Sequence, residues 1–227
     1  MRPTFLNCLL ILLLVLFMPA FGAAQDEKRA AIAILIDNTG SMRAQFDNVI
    51  ALATGVVQVA SKRGTVSLFS FETNASAGRA IAVPGTAWTQ DTEKLERSIS
   101  DLFVQSGQTT LYDAIAAAAT AARDKADADK LAEKIVVVIS DGEDRASKLK
   151  RDELIKLLSE TGVKVYAVGM TGQLGSTRGI GRKSDKDKAT EFLQKLASET
   201  GGALVTLSKN DKTVGDVITK LFDNSRR

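Results

Sequence analysis

Residues 30–41 read AAIAILIDNTGS, an unbroken apolar run that is followed at once by polar residues and a glycine. The run at 30–36 predicts a β-strand that is buried on both faces, as in a parallel sheet. From Met42 to Ala60 the apolar residues recur at spacings of three and four, which predicts an amphipathic helix. A buried strand that leads into such a helix is the repeating unit of an α/β fold.

Strand and helix patterns alternate through the rest of the chain. Further strands are predicted at 64–71, 77–83, 134–140, 163–169 and 203–207, and further helices at 92–102, 111–125, 149–160, 189–200 and 214–222. Turn-forming residues after 64–71 indicate a hairpin with an antiparallel edge strand. A long irregular loop is predicted at 171–188, which is rich in glycine and then in charges. We therefore predict a doubly wound, mostly parallel sheet with one antiparallel edge strand and helices on both faces.

The first 24 residues have the composition of a secretory signal peptide. Arg2 supplies a positive charge, 9–18 is an uninterrupted apolar run, and small residues precede Gln25. The predicted order is a signal peptide (1–24), a short extension (25–29), one domain (30–222) and a tail (223–227). We expect a secreted or periplasmic protein without stable membrane insertion, and an uncleaved anchor is the alternative.

The composition excludes several classes of function. The 227 residues contain no histidine, and the single cysteine, Cys8, lies in the predicted signal peptide. Histidine-based triads, histidine zinc sites and, after cleavage, thiol chemistry are therefore excluded. The chain has 30 Lys and Arg residues against 27 Asp and Glu, and this net charge of +3 gives no support to a nucleic-acid partner.

Oxygen-bearing side chains follow two of the predicted parallel strands. Asp37, Thr39 and Ser41 occupy alternate positions after the first strand. Asp141 follows KIVVVIS, and the two strand ends can meet at the topological switch point of the sheet, where ligands bind. Between them in sequence, the hydroxyl-rich stretch GQTTLYDAI enters a helix, and its Thr110 is predicted to cap that helix. Carboxylates and hydroxyls without nitrogen or sulfur ligands favour Mg²⁺, Mn²⁺ or Ca²⁺.

In these motifs the chain resembles the von Willebrand factor type A family, whose metal-ion-dependent adhesion site (MIDAS) has the pattern Asp-x-Ser/Thr-x-Ser, a separate Thr and a separate Asp. The matching residues are Asp37, Thr39 and Ser41 in the first element, Thr109 in the second and Asp141 in the third. Thr39 replaces the commoner serine, and its hydroxyl can still coordinate a metal. The resemblance implies a non-enzymatic protein-binding module, in which a protein partner's acidic side chain completes the coordination of the metal.

Two other functions remain open from the sequence. An apolar strand that ends in Asp-x-Thr-Gly-Ser also resembles the aspartyl-phosphate motif of haloacid-dehalogenase-type phosphatases, in which Asp37 would be the nucleophile. Against this alternative, the positions after Asp37 lack the second acid that many such enzymes use, and GQTTLYDAI has no role in it. The other alternative keeps the type A fold as a metal-independent scaffold.

Overall fold

The computed structural model describes residues 30–175, 183–207 and 214–223. The predicted signal peptide (1–24), the extension (25–29), part of the predicted loop (176–182) and the end of the tail (224–227) lie outside the described residues. Within the described ranges, no helix combines the length and the apolar character needed to cross a membrane.

The described strands form one sheet. They are β1 (Ala30–Ile36), β2 (Gly64–Asn74), β3 (Arg79–Pro84), β4 (Gln108–Thr109), β5 (Glu133–Ser140), β6 (Lys164–Gly169) and β7 (Leu204–Thr206). Their order across the sheet is β4-β3-β2-β1-β5-β6-β7. The β2–β3 pair is antiparallel and the other neighbouring pairs are parallel. The predicted mostly parallel sheet is therefore confirmed.

The α-helices of the described part of the chain cover both faces of this sheet. They are α1 (Phe46–Ala60), α2 (Thr92–Ser100), α3 (Leu111–Asp129), α4 (Arg151–Thr161), α5 (Asp185–Glu199) and α6 (Val214–Asp223). Buried side chains of α1, α2 and α6 form one hydrophobic core with the sheet, and those of α3, α4 and α5 form the other. This is the doubly wound, three-layer α/β architecture that the alternating pattern predicts.

Strand β1 lies in the middle of the sheet, hydrogen-bonded to β2 on one side and to β5 on the other. All of its residues are buried. Ile32, Ile34 and Ile36 belong to one core, whereas Ala33 and Leu35 belong to the other. Burial on both faces explains why this strand is continuously apolar instead of alternating with polar residues.

The chain after β1 starts its helix differently from the prediction. The apolar spacing predicts a helix from Met42, but a 3₁₀ helix spans Gly40–Gln45 and α1 begins at Phe46. Thr39 precedes the 3₁₀ helix, yet its side chain caps no helix amide, because its hydroxyl donates to Asp37. The Met42 amide donates to the Thr39 carbonyl, which is the i to i+3 bond of 3₁₀ geometry.

The sheet extends beyond the predicted hairpin. That hairpin is present as the β2–β3 pair, but β4 pairs with Arg79 and Ala80 of β3 and takes the outermost position. Thr110 follows β4 at the N-cap position of α3. The prediction that its side chain caps the helix is wrong, because the Thr110 hydroxyl donates to the Ala80 carbonyl at 2.8 Å.

Helix α5 begins earlier than predicted. The prediction of a loop over 171–188 is wrong at its end, because α5 begins at Asp185. Ser184 Oγ accepts a hydrogen bond from the Asp187 amide at 3.1 Å, and the Asp187 carboxylate accepts one from the Ser184 amide at 3.4 Å. This reciprocal capping box stabilises the helix start within a run of charges that, without the cap, is typical of a loop.

Candidate metal centre

Asp37 follows β1 and is completely buried at the carboxyl edge of the sheet. Its amide donates to the Ile139 carbonyl of β5 at 2.9 Å. Its Oδ1 accepts hydrogen bonds from the Thr39 amide at 3.1 Å and from the Thr39 hydroxyl at 2.7 Å, and its Oδ2 accepts one from Ser140 Oγ at 2.7 Å. Bonds from two adjacent strand ends therefore fix this carboxylate in one orientation.

Three hydroxyl groups lie in series beside the Asp37 carboxylate. Thr109 Oγ1 donates to Thr39 Oγ1 at 2.9 Å, although the two residues are 70 positions apart. Ser41 Oγ lies 3.5 Å from Thr39 Oγ1. Gly107 brings Thr109 to this place with a φ of 100°, and a Cβ on Gly107 would lie 2.9 Å from the Arg79 carbonyl carbon. The close approach of loop and strand that positions Thr109 therefore requires glycine.

Asp141 follows β5 and is 2% exposed. Its Oδ1 accepts a hydrogen bond from the Glu143 amide at 2.9 Å. Its Oδ2 is buried and has no hydrogen-bond partner among the described residues. Such an oxygen is costly to leave unsatisfied, so a cation that reached it would stabilise the folded chain.

Burial shifts the pKa of both carboxyl groups upward. It raises the pKa of Asp37 to about 6, and the charge of Asp141 adds to the shift, while hydrogen bonds from Ser140 and Thr39 oppose it. Burial also raises the pKa of Asp141, against the lowering effects of the Glu143 amide and the nearby Ser41 hydroxyl. In both residues, the hydrogen bonds and charges of the described chain therefore do not fully offset the cost of burying the ionised carboxylate.

No lysine or arginine of the described residues forms an ion pair with either of these two acids. Arg145, which lies near Asp141, is hydrogen-bonded to Glu143 at 2.6 Å. The charge of Arg145 lowers the pKa of Asp141, but burial outweighs it, so a cation from outside the described chain would favour both carboxylates.

The donor set of this cluster fits a hard divalent cation. It consists of the carboxylates of Asp37 and Asp141 and the hydroxyls of Thr39, Ser41 and Thr109. Over the described ranges, no three His, Cys, Asp or Glu side chains come together as a metal-binding group. A metal here would therefore rely on hydroxyl oxygens besides two carboxylates, a set that suits Mg²⁺ or Mn²⁺.

Two further residues, which no sequence motif indicates, organise this cluster. Ser140 donates to Asp37 as described above, and its Oγ also accepts from the Gly142 amide at 3.0 Å. Asn38 bonds to the neighbouring segments: its Oδ1 accepts from the Phe71 amide at 2.7 Å and its Nδ2 donates to the Phe103 carbonyl at 2.9 Å. Their only sequence signal is a polar side chain beside each predicted acidic ligand, and no pattern reveals the bonds between segments.

The comparisons with known proteins agree with this architecture. A family model described as the von Willebrand factor type A domain matches residues 31–220. No curated protein matches the sequence. Among solved structures, the conserved hypothetical protein BatB from Bacteroides thetaiotaomicron is 16% identical with a TM-score of 0.61, over 86% of this chain and 98% of that chain.

Two further solved structures are similar to this chain over part of their own length. The pilus adhesin SpaC from Lactobacillus rhamnosus GG is 11% identical with a TM-score of 0.59, over 87% of this chain and 30% of that chain. Proximal thread matrix protein 1 from the mussel byssus, described with a zinc-occupied MIDAS motif, is 16% identical with a TM-score of 0.59, over 87% of this chain and 47% of that chain.

At these identities, the similarity to the solved structures shows the fold alone. The family model, in contrast, matches most of the sequence, from the central strand β1 to the last described helix α6. This chain belongs to the von Willebrand factor type A domain family.

Proposed function

We propose that this protein is an extracytoplasmic binding module that holds its protein partner through a divalent metal ion. The metal ligands in this proposal are Asp37, Thr39, Ser41, Thr109 and Asp141. The observation that carries it is the buried Oδ2 of Asp141, which has no partner among the described residues although it lies in a cluster of ordered oxygens. A divalent cation satisfies this oxygen and compensates the repulsion between the two acids.

The described residues prepare the cluster for a metal before any metal binds. Ser140 and Thr39 orient the Asp37 carboxylate, and the hydroxyls of Thr39 and Thr109 are fixed by their mutual hydrogen bond. Mg²⁺ or Mn²⁺ would supply a Lewis-acidic point at which an anionic oxygen binds. Two carboxylates do no more than balance the charge of such an ion. Because its other protein ligands are neutral hydroxyls, the ion keeps enough Lewis acidity to bind a further carboxylate.

An acidic side chain of a protein partner is the ligand that this chemistry favours. Domains of this family mediate protein–protein interactions, and the similar structures include a pilus adhesin and a byssus matrix protein. These similarities support a role in adhesion or assembly. The signal-peptide pattern at 1–24 supports an extracytoplasmic location, and mass spectrometry of the exported protein should find Gln25 at its N-terminus.

The phosphatase alternative fits the geometry less well. A phosphoryl transfer to Asp37 needs one of its carboxylate oxygens to reach the phosphorus atom. Both oxygens are hydrogen-bonded and the residue has no exposed surface. Metal-dependent hydrolysis of a generic phosphoester by the purified protein would favour the phosphatase over the binding module.

Thermal melting in Mg²⁺, Mn²⁺, Zn²⁺ or chelator tests the metal site. A metal that binds only the folded chain stabilises it by about 2.7 kcal/mol at a hundredfold excess over its dissociation constant. Asp37→Ala should abolish this gain while the chain stays folded. Equal melting temperatures of the wild type in all conditions would instead favour the metal-independent scaffold.

Capture of a partner tests the binding role. Wild-type protein and Asp37→Ala are immobilised, and extracytoplasmic extract is applied with Mg²⁺ or with chelator. The proposal expects a partner that the wild type retains only with metal, because the partner's carboxylate needs the ion. Equal retention under all of these conditions would contradict metal-mediated capture.

A further inference from the structure

A cavity of about 470 Å³ lies beside the proposed metal centre, between β2 and the segment that follows α2. Its volume is in the range of protein cavities that bind small ligands or single side chains. Asn38 forms part of the cavity wall, and it stands in the chain between the proposed ligands Asp37 and Thr39. The cavity and the metal centre therefore share the end of β1, so one partner segment can reach both.

The ionisable side chains in the wall of the cavity are acidic. Ser70 and Glu72 lie on the same face of β2, and Asp101 directly follows α2 on the other side of the cavity. Ser70 is only 8% exposed, yet its hydroxyl has no hydrogen-bond partner among the described residues. The carboxylates of Glu72 and Asp101 likewise have neither a hydrogen bond nor an ion pair within the described chain, and no lysine or arginine is among the described residues that line the cavity. This wall is complementary to a cation that carries several N–H donors.

An aromatic side chain completes the rim of the cavity. The Phe103 side chain is 66% exposed, the largest exposed fraction of any large hydrophobic residue in the described part of the chain. Its backbone is nevertheless held in place, because its carbonyl accepts from Asn38 Nδ2 at 2.9 Å and the Gln105 amide donates to the Asn38 carbonyl at 2.7 Å. An exposed ring on a backbone that is held in place attracts a cation to its face and an aliphatic stem to its side.

We propose that this cavity binds an arginine or lysine side chain of the same partner whose acidic side chain binds the metal. The inference rests on the proposed function for its account of the partner, and on the cavity alone for the basic side chain. Arginine fits better than lysine, because its planar guanidinium carries five donors for carboxylates and its face stacks on aromatic rings such as that of Phe103. The partner segment then carries one acidic and one basic residue a short distance apart.

The cavity can be tested separately from the metal. N-acetyl-arginine amide and its neutral isostere N-acetyl-citrulline amide are titrated into the labelled protein with chelator present, and backbone amide shifts are followed by NMR. The arginine compound should shift residues 70–73 and 101–105 and bind about fivefold more tightly than the citrulline compound, as expected for one or two exposed charge pairs. Equal affinities of the two compounds, or shifts elsewhere only, would overturn the assignment.

Substitution of Glu72 and Asp101 tests whether these two acids bind the arginine compound. In the double variant Glu72→Gln/Asp101→Asn the affinity for the arginine compound should fall about fivefold, to that of the citrulline compound. The matched control Asp129→Asn/Glu160→Gln removes two exposed acids that pair with lysines of their own helices, and it should bind the arginine compound as the wild type does. The same affinity in the two double variants would also overturn the assignment.

Peptides that join an arginine to a glutamate through glycine spacers then connect the two sites. With Mg²⁺ present, one spacer length should bind up to about fivefold more tightly than its citrulline counterpart, and at least about tenfold more tightly than the same peptide with chelator. An arginine preference without any effect of Mg²⁺ would contradict the metal proposal alone. An effect of Mg²⁺ without an arginine preference would contradict the cavity assignment alone.

Discussion

The two edges of the same sheet neutralise their carboxylates in different ways. At the amino ends of β5 and β6, Lys164 Nζ lies 3.1 Å from Glu133 Oε1, and Lys134 Nζ lies 3.2 Å from Asp127 Oδ1. The side chains of these pairs remain between 27% and 62% exposed to water. The amino edge therefore satisfies its charges with its own lysines and with solvent, and such pairs are part of an ordinary protein surface.

At the carboxyl ends of β1 and β5 the acids are buried and have no lysine or arginine ion-pair partner among the described residues. Hydroxyl and amide groups hold Asp37 and Asp141 in place, but burial still raises the pKa of each. The chain thus leaves at this edge a charge that an external cation can neutralise. The difference between the two edges shows that a pair of buried acids without a basic partner is a better indicator of a ligand site than the number of acids at an edge.

Of the variants that test this comparison, the one that lacks the Ser140 hydroxyl should lose the most folding stability. Ser140→Ala deletes the donor to Asp37 Oδ2 and leaves that buried oxygen without a partner. We expect the free energy of unfolding to fall by about 2 kcal/mol, measured by urea denaturation with chelator present. The matched control is Ser159→Ala, which removes an exposed hydroxyl bonded within α4. If both variants lost the same stability, the carboxyl edge would not depend on these buried bonds.

Because these acids are buried, the free energy of unfolding should also depend on pH, and this is the next largest expected effect. Because burial raises the folded-state pKa of Asp37 to about 6 from 3.8, the folded chain holds a proton between these pH values that the unfolded chain has released. The stabilisation by this proton is therefore present near pH 5 and is lost as the pH rises through about 6. For the chelated protein we expect the Asp37 contribution to fall by about 1 kcal/mol between pH 5 and 7.5.

Asp37→Asn is the control that isolates this titration. Its side chain does not ionise, so the difference between wild type and variant in chemical denaturation should change with pH, and Mg²⁺ should remove the decline for the wild type. A difference that stays constant from pH 5 to 7.5 would show that Asp37 is ionised in the folded chain without a metal.

Much of this fold follows from sequence patterns, because its central strand has no exposed face. The run at 30–36 predicts β1 at its observed bounds. Strand β4 was not predicted, because two residues carry no pattern of their own and depend on pairing with β3. The start of α5 was missed for a related reason: Ser184 and Asp187 cap each other in a segment whose composition favours a loop.

The sequence likewise predicts one part of the candidate site and not the other. Spacing and resemblance predicted that Asp37, Thr109 and Asp141 converge, and the structure places these side chains in one cluster. The bond from Ser140 to Asp37 was not predicted, because it depends on the register in which Ile36 pairs with Ile139. Local sequence does not determine which residues of two parallel strands lie side by side, whereas it does show where each strand ends.

A substitution at the amino edge should have the smallest effect on stability, in contrast to Ser140→Ala at the carboxyl edge. The side chain of Glu133 is 27% exposed, and Glu133→Gln removes the negative charge that pairs with Lys164 without placing an unsatisfied charge in the interior. We expect a loss of about 0.5 kcal/mol at low salt, and less in high salt, because solvent and ions already screen this pair. The gain in melting temperature with Mg²⁺ should equal that of the wild type. A loss as large as that of Ser140→Ala would mean that ion pairs at the amino edge contribute as much to stability as the buried bonds at the carboxyl edge. A weaker response to Mg²⁺ would mean that the two edges are coupled. Neither result is expected, because a partly exposed pair at the far end of β5 should influence neither the buried acids nor a metal between them.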